Sequence, residues 1–164
     1  MSETPYAGDA ARITQVARVL LAKGIIGDAP LRRSGTVVQA LPVLMVGGTL
    51  HSWWVPVTVG DRLTAFLQFL PDRTLMRFSL FQRQSGEFAD CPVAADWLDP
   101  RRIQTRAQAL RRSDEAISEP FLTYDKTPDR LVWAVPLRQA DGRVRHVYVA
   151  GETVYVPPPG GAFG

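Results

Sequence analysis

The stretch TLHSWWVPVTVGDRLTAFLQFLPDRTLMRFSLF, Thr49 to Phe81, decides the fold of this chain. Gly60-Asp61 and Pro71-Asp72 divide it into three strand-length runs, and a two-residue turn signal between such runs points to an antiparallel meander. Side chains alternate across a strand, so Trp53, Val55, Val57 and Val59 share one face. Leu63, Ala65, Leu67 and Phe69 do the same in the next run. Upstream, TVVQALPVLMV followed by Gly47-Gly48 supplies a fourth strand. Pro42 and Pro56 cannot donate to a ladder and are expected at an edge, a strand end or a bulge.

The stretch RLVWAVPLRQADGRVRHVYVAGETVYVPP, Arg130 to Pro158, echoes this pattern, with Arg62 matched to Arg143. A helix signal precedes each set of strands. In the first, Asp9 is the expected N-cap, Ile13, Val16, Ala17, Leu20 and Leu21 form the apolar stripe, and Lys23 and Gly24 mark the end. Ile25 to Ser34 reads as a loop. In the second, Asp99-Pro100 is a cap followed by proline at the first helical position, with Ile103, Ala107 and Leu110 as a thinner stripe. The expected fold is therefore α+β: two tandem repeats of one helix followed by a four-stranded antiparallel β-meander. The expected division is a first module over 1–82, a packed linker over 83–99, a second module over 100–158 and a flexible tail over 159–164. One helix on four strands is a small core, and two copies packed together bury more.

The second copy, roughly Pro100 to Val156, resembles a PepSY-type module through Trp133 within a strand, the Asp141-Gly142 hairpin, the Val147-Tyr148-Val149 strand and Gly151. Asp9 to Phe81 resembles it more loosely. The tandem layout is also similar to that of the beta-lactamase inhibitory proteins, without their cysteines. Both resemblances imply binding or inhibition rather than catalysis, although a fold alone does not set function.

With 46% hydrophobic and 21% charged residues in 164, the composition is that of a globular chain. Gly, Pro or a charge interrupts every long apolar run, so no membrane-spanning segment is expected. The N-terminus lacks the basic start and apolar core of a secretory signal. A single cysteine, Cys91, rules out an intrachain disulfide framework and fits a reducing compartment, so the expected location is cytoplasmic. The net charge is +3, and 17 of the 19 basic residues are arginine. Neither half of the chain is a polycation.

Signals for chemistry are sparse. His51 and His146 fall at non-equivalent positions, and no HExxH, CxxC pair or His/Cys cluster suggests a metal. Cys91 lacks a recognisable base, and no GxSxG elbow, GxGxxG or GxxxxGK[ST] loop occurs. No catalytic residue, metal or cofactor is expected.

Two features stand out. The first is aromatic density on the strands. Adjacent Trp53 and Trp54 point to opposite faces, so one is exposed unless both faces are covered; with Trp133 they are the expected protein-binding residues. The second is the arginine set Arg101, Arg102, Arg106, Arg111 and Arg112, where Arg102 and Arg106 share a helix face. The first reading is a non-enzymatic binding or regulatory protein that engages a protein partner through an aromatic sheet face or an exposed strand edge. The second is single-stranded nucleic-acid binding by those arginines with the strand aromatics. A third is an enzyme with a pocket between the repeats. Homo-oligomerisation is compatible with all three.

Overall fold

A computed structural model describes residues Tyr6–Pro157, so the tail expected over 159–164 lies outside the described residues. The described residues form two compact units that interleave in sequence. One runs to Pro42 and resumes as Leu50–Ala94; the other combines Val43–Thr49 with the chain from Ala95 onward. These differ from the sequential modules expected over 1–82 and 100–158.

In the first unit, α1 (Ala7–Ala22) begins after Tyr6, one turn earlier than an Asp9 cap implies; Asp9 lies in the first turn, where a carboxylate favours the helix dipole. Gly24 stops the helix at φ 71°, a conformation glycine adopts without strain. The expected loop over 25–34 contains a short helix, α2 (Ala29–Ser34). Its start signal was in the sequence: the Asp28 side chain accepts from Leu31 N–H, and Pro30 sits in the first turn. The run TVVQALPVLMV splits into β1 (Thr36–Val37) and β2 (Leu41–Leu44).

The three runs of the opening stretch are β3 (Leu50–Val59), β4 (Arg62–Phe69) and β5 (Leu75–Leu80), antiparallel in sequence order, with β1 pairing β3. Trp53, Val55, Val57, Ala65, Leu67 and Phe69 pack with Ile13, Ala17 and Leu21 of α1 and with Leu31 of α2. A bulge leaves Thr64 extra opposite Val57–Thr58, and its hydroxyl donates to the Val57 carbonyl at 3.0 Å. Cys91–Ala94 runs beside the start of β4: Leu63 N–H donates to Pro92 O at 2.8 Å and Ala94 N–H to Asp61 O at 2.8 Å.

In the second unit, α3 (Ala95–Leu98) leads into α4 (Pro100–Ala107), capped by the Asp99 side chain on Arg101 N–H, and then into a 3₁₀ turn at Gln108–Leu110. β6 (Ala116–Ile117), β7 (Phe121–Tyr124), β8 (Leu131–Arg138), β9 (Val144–Ala150) and β10 (Thr153–Tyr155) follow. The last four are antiparallel neighbours in sequence order, and β6 pairs β8. Val43 of β2 pairs parallel with Leu122 of β7. Ile103 and Ala107 of α4 are buried, and the helix packs on β8 and β9.

The expectation of two tandem repeats of one helix followed by a four-stranded antiparallel β-meander is therefore wrong. Among the described residues, four helices accompany ten strands hydrogen-bonded in one mixed order, β10-β9-β8-β7-β2-β3-β4-β5, with β1 on β3 and β6 on β8. The physical reason is β2. Its pairing with β7 is non-local and parallel, so neither hairpin spacing nor turn chemistry announces it.

Candidate functional site

The three tryptophans named from the sequence are all buried: Trp53 is 1% exposed, Trp54 2% and Trp133 7%. Alternation does send Trp53 and Trp54 to opposite faces, but both faces of β3 and β4 are covered. Trp53 packs into the α1 side and meets Tyr6 edge-on at 6.0 Å. Trp54 meets Phe66 at 6.0 Å, and Phe66 meets Phe81 at 5.7 Å. Trp133 donates its indole N–H to the Trp97 carbonyl at 2.9 Å, which fixes the ring beneath α3. None presents a surface to a partner.

The arginines divide. Arg102 and Arg106 both reach Oδ1 of the buried Asp96, at 2.9 and 2.8 Å, and Arg106 also bonds the Gly151 carbonyl. Arg111 donates to the Glu115 carbonyl at 2.9 Å, and the Arg112 backbone N–H to the Glu115 carboxylate at 2.8 Å. Arg101 and Arg112 keep exposed side chains. The pair expected to share a helix face does so, and both guanidiniums converge on the buried Asp96 carboxylate. Glu115 itself takes Arg145 in two bonds, at 2.6 and 2.7 Å; chiefly through these its carboxyl is held down at about 2.

A run of exposed apolar residues lies elsewhere, along β5. This strand ends the strand order, paired on one side to β4. Leu75, Met76, Leu80 and the following Phe81 are 36–44% exposed. A bulge opposite Gln68–Phe69 leaves Met76 without a residue across from it, so Leu75 and Met76 are both exposed in succession. The only charge on the strand, Arg77, turns back onto the sheet. Its Nε–H donates to Gln68 Oε1 at 2.8 Å, and its guanidinium stacks over Phe66 at 5.0 Å.

That contact heads a buried polar chain. Because Arg77 can only donate, Gln68 must turn its oxygen to it and its Nε2 to Ser52 Oγ, 2.9 Å away. Ser52 Oγ lies 2.9 Å from His51 Nδ1. Burial lowers the His51 pKa, which keeps the ring neutral and able to accept. Ser52 and Gln68 are fully buried, so the Ser-His contact offers no open nucleophile, while the Gln68–Ser52 and Arg77–Gln68 bonds tie β4 to β3 and β5 to β4. Burial likewise raises the Cys91 thiol pKa, with Arg62 acting against that shift and Asp90 adding to it. Among the described residues, no group of three or more His, Cys, Asp or Glu is placed to hold a metal. No helix among them is long and apolar enough to cross a membrane.

Nothing in the residue pattern of the run RTLMRFSLF singles out Leu75, Met76 and Leu80 as exposed. The signal was their position: the run ending at Phe81 is followed by QRQSGE, which offers no next strand to cover it. No protein-family model matches the chain, and no curated protein or solved structure matches it significantly.

Proposed function

We propose that the chain is a binding protein that takes an extended segment of a protein partner along the open side of β5. The observation that carries this reading is an apolar strand at the end of the strand order, open on one side among the described residues. Edge strands template pairing with another chain, and proteins often blunt them with Lys, Pro, bulges or inward-pointing charges. β5 carries neither Lys nor Pro; it does have a bulge at Met76 and an inward-turned Arg77, but Leu75, Met76, Leu80 and Phe81 stay open. An added strand gains main-chain hydrogen bonds from the edge and side-chain contacts at alternate positions. The Arg77–Gln68–Ser52 chain supports this reading because it ties β5 to β4 and β3, and an edge already ordered costs less on binding.

The test is selection of a random-peptide display library on the immobilised full chain, followed by amide chemical-shift mapping with the enriched peptides. The expected result is peptides of alternating apolar pattern that shift the β5 amides. Leu75→Lys with Met76→Lys should weaken them by about 2 kcal/mol, roughly thirtyfold. Enrichment that maps away from β5, or binding unchanged in the double variant, overturns the reading. Sedimentation of the same pair of proteins tells whether a second copy of the chain occupies the edge instead.

A further inference from the structure

The second unit contains an open groove of about 580 Å³, and nothing described above uses it. One wall is the hairpin tip after β2, closed by Met45 N–H to Thr49 O at 2.8 Å and Gly48 N–H to Met45 O at 3.0 Å. Gly47 and Gly48 adopt φ 98° and 90°, and a Cβ on either would meet nothing within 4 Å. The tip is therefore bare backbone, with Val46 beside it 44% exposed. The other wall comes from β8 and β9. Arg138 pairs with Val144 and Pro136 with His146, so all four side chains share one face. Phe121 of β7 meets the His146 ring edge-on at 5.8 Å, and Val144 is 42% exposed.

The chemistry of this lining is lopsided. Val46, Phe121 and Val144 are apolar, and no carboxylate lines the groove. Arg138 is exposed and makes no ion pair or side-chain hydrogen bond among the described residues, whereas neighbouring Arg143 is tied to Asp141 at 2.9 Å. A groove of this size suits a small organic ligand. An unpaired guanidinium on its rim selects for a planar anion, which it can hold through two parallel bonds.

We propose that this groove binds an amphipathic organic carboxylate, with its apolar body against Val46, Phe121 and Val144 and its carboxylate on Arg138. His146 lies beside the ligand's body. Burial lowers the pKa of its ring, so it adds no second positive charge near neutrality and Arg138 alone carries the selectivity for an anion. This site is separate from the β5 edge, and neither depends on the other.

The experiment is titration of the full chain with octanoate, octanol and octylammonium, each below its micelle concentration, followed by amide chemical shifts. Octanoate should shift the amides of Gly47, Gly48 and Val144 to His146 saturably, with octanol about tenfold weaker and octylammonium without effect. Shortening the carboxylate should weaken binding by about two- to fourfold per methylene removed. Arg138→Gln should lose about tenfold for octanoate and nothing for octanol, while Arg143→Gln should change neither. Equal binding of octanoate and octanol, shifts that map elsewhere, or an unaltered affinity in Arg138→Gln overturns the proposal. The chain-length series on the unaltered protein decides it even if a variant folds poorly.

Discussion

One hydroxyl, that of Thr14, connects two parts of the first unit. It donates to Ala10 O at 2.7 Å within α1 and accepts the Ala40 N–H at 2.8 Å from the segment between β1 and β2. Thr14→Val keeps the shape but leaves a buried N–H unsatisfied, and denaturant unfolding should record a loss of about 1–3 kcal/mol. Glu115 poses the corresponding question for the second unit. Its carboxyl moves from an ordinary 4.5 to about 2, first through the Arg145 bonds and then, against desolvation, through the Arg112 N–H. A depressed carboxylate contributes stability that is complete above its unfolded pKa and is lost as pH falls through the folded one. The melting temperature should therefore fall between about pH 4.5 and pH 2, and Glu115→Gln should lower it at pH 7 while flattening that slope. An equally steep acid limb in the variant would assign the slope to other carboxylates, Asp28 among them, whose pKa is lowered chiefly by its bond from Ser85.

Among the elements, β3, β4, β5, β7, β8, β9 and α4 were readable because each is bounded by a local signal, such as Gly60-Asp61, Asp141-Gly142 or Asp99-Pro100. α2 was readable and missed. The exposed face of a strand was not readable, because alternation says which side chains share a face and nothing of what covers it; Trp54 is the case in point. Helix α4 carries its own prediction. Arg102 and Arg106 converge on an Asp96 carboxylate that is 9% exposed, so they act as structural ties. Replacing both with Gln should lower the melting temperature and leave any retention on single-stranded oligonucleotides unchanged. Intact folding with lost oligonucleotide retention would favour the nucleic-acid reading instead.

For the molecule as a whole, the decisive fact is that the second unit borrows residues 43–49 from within the first half of the chain. Residues 95–164 expressed alone lack the strand that pairs β7 at Leu122, and they should aggregate or give poorly dispersed amide spectra. Supplying a peptide of residues 41–49 should recover dispersion; a well-folded fragment without it would show that β2 is dispensable.

The same pairing sets a clock during synthesis. Val43 leaves the ribosome about 80 residues before Leu122, the residue it lies beside. At roughly 5–20 residues per second, β2 waits on the order of 4–16 s with its parallel neighbour unmade. Through that interval Pro42 removes one donor from the waiting strand, so the residue that interrupts its ladder also limits what the nascent chain can pair with too early.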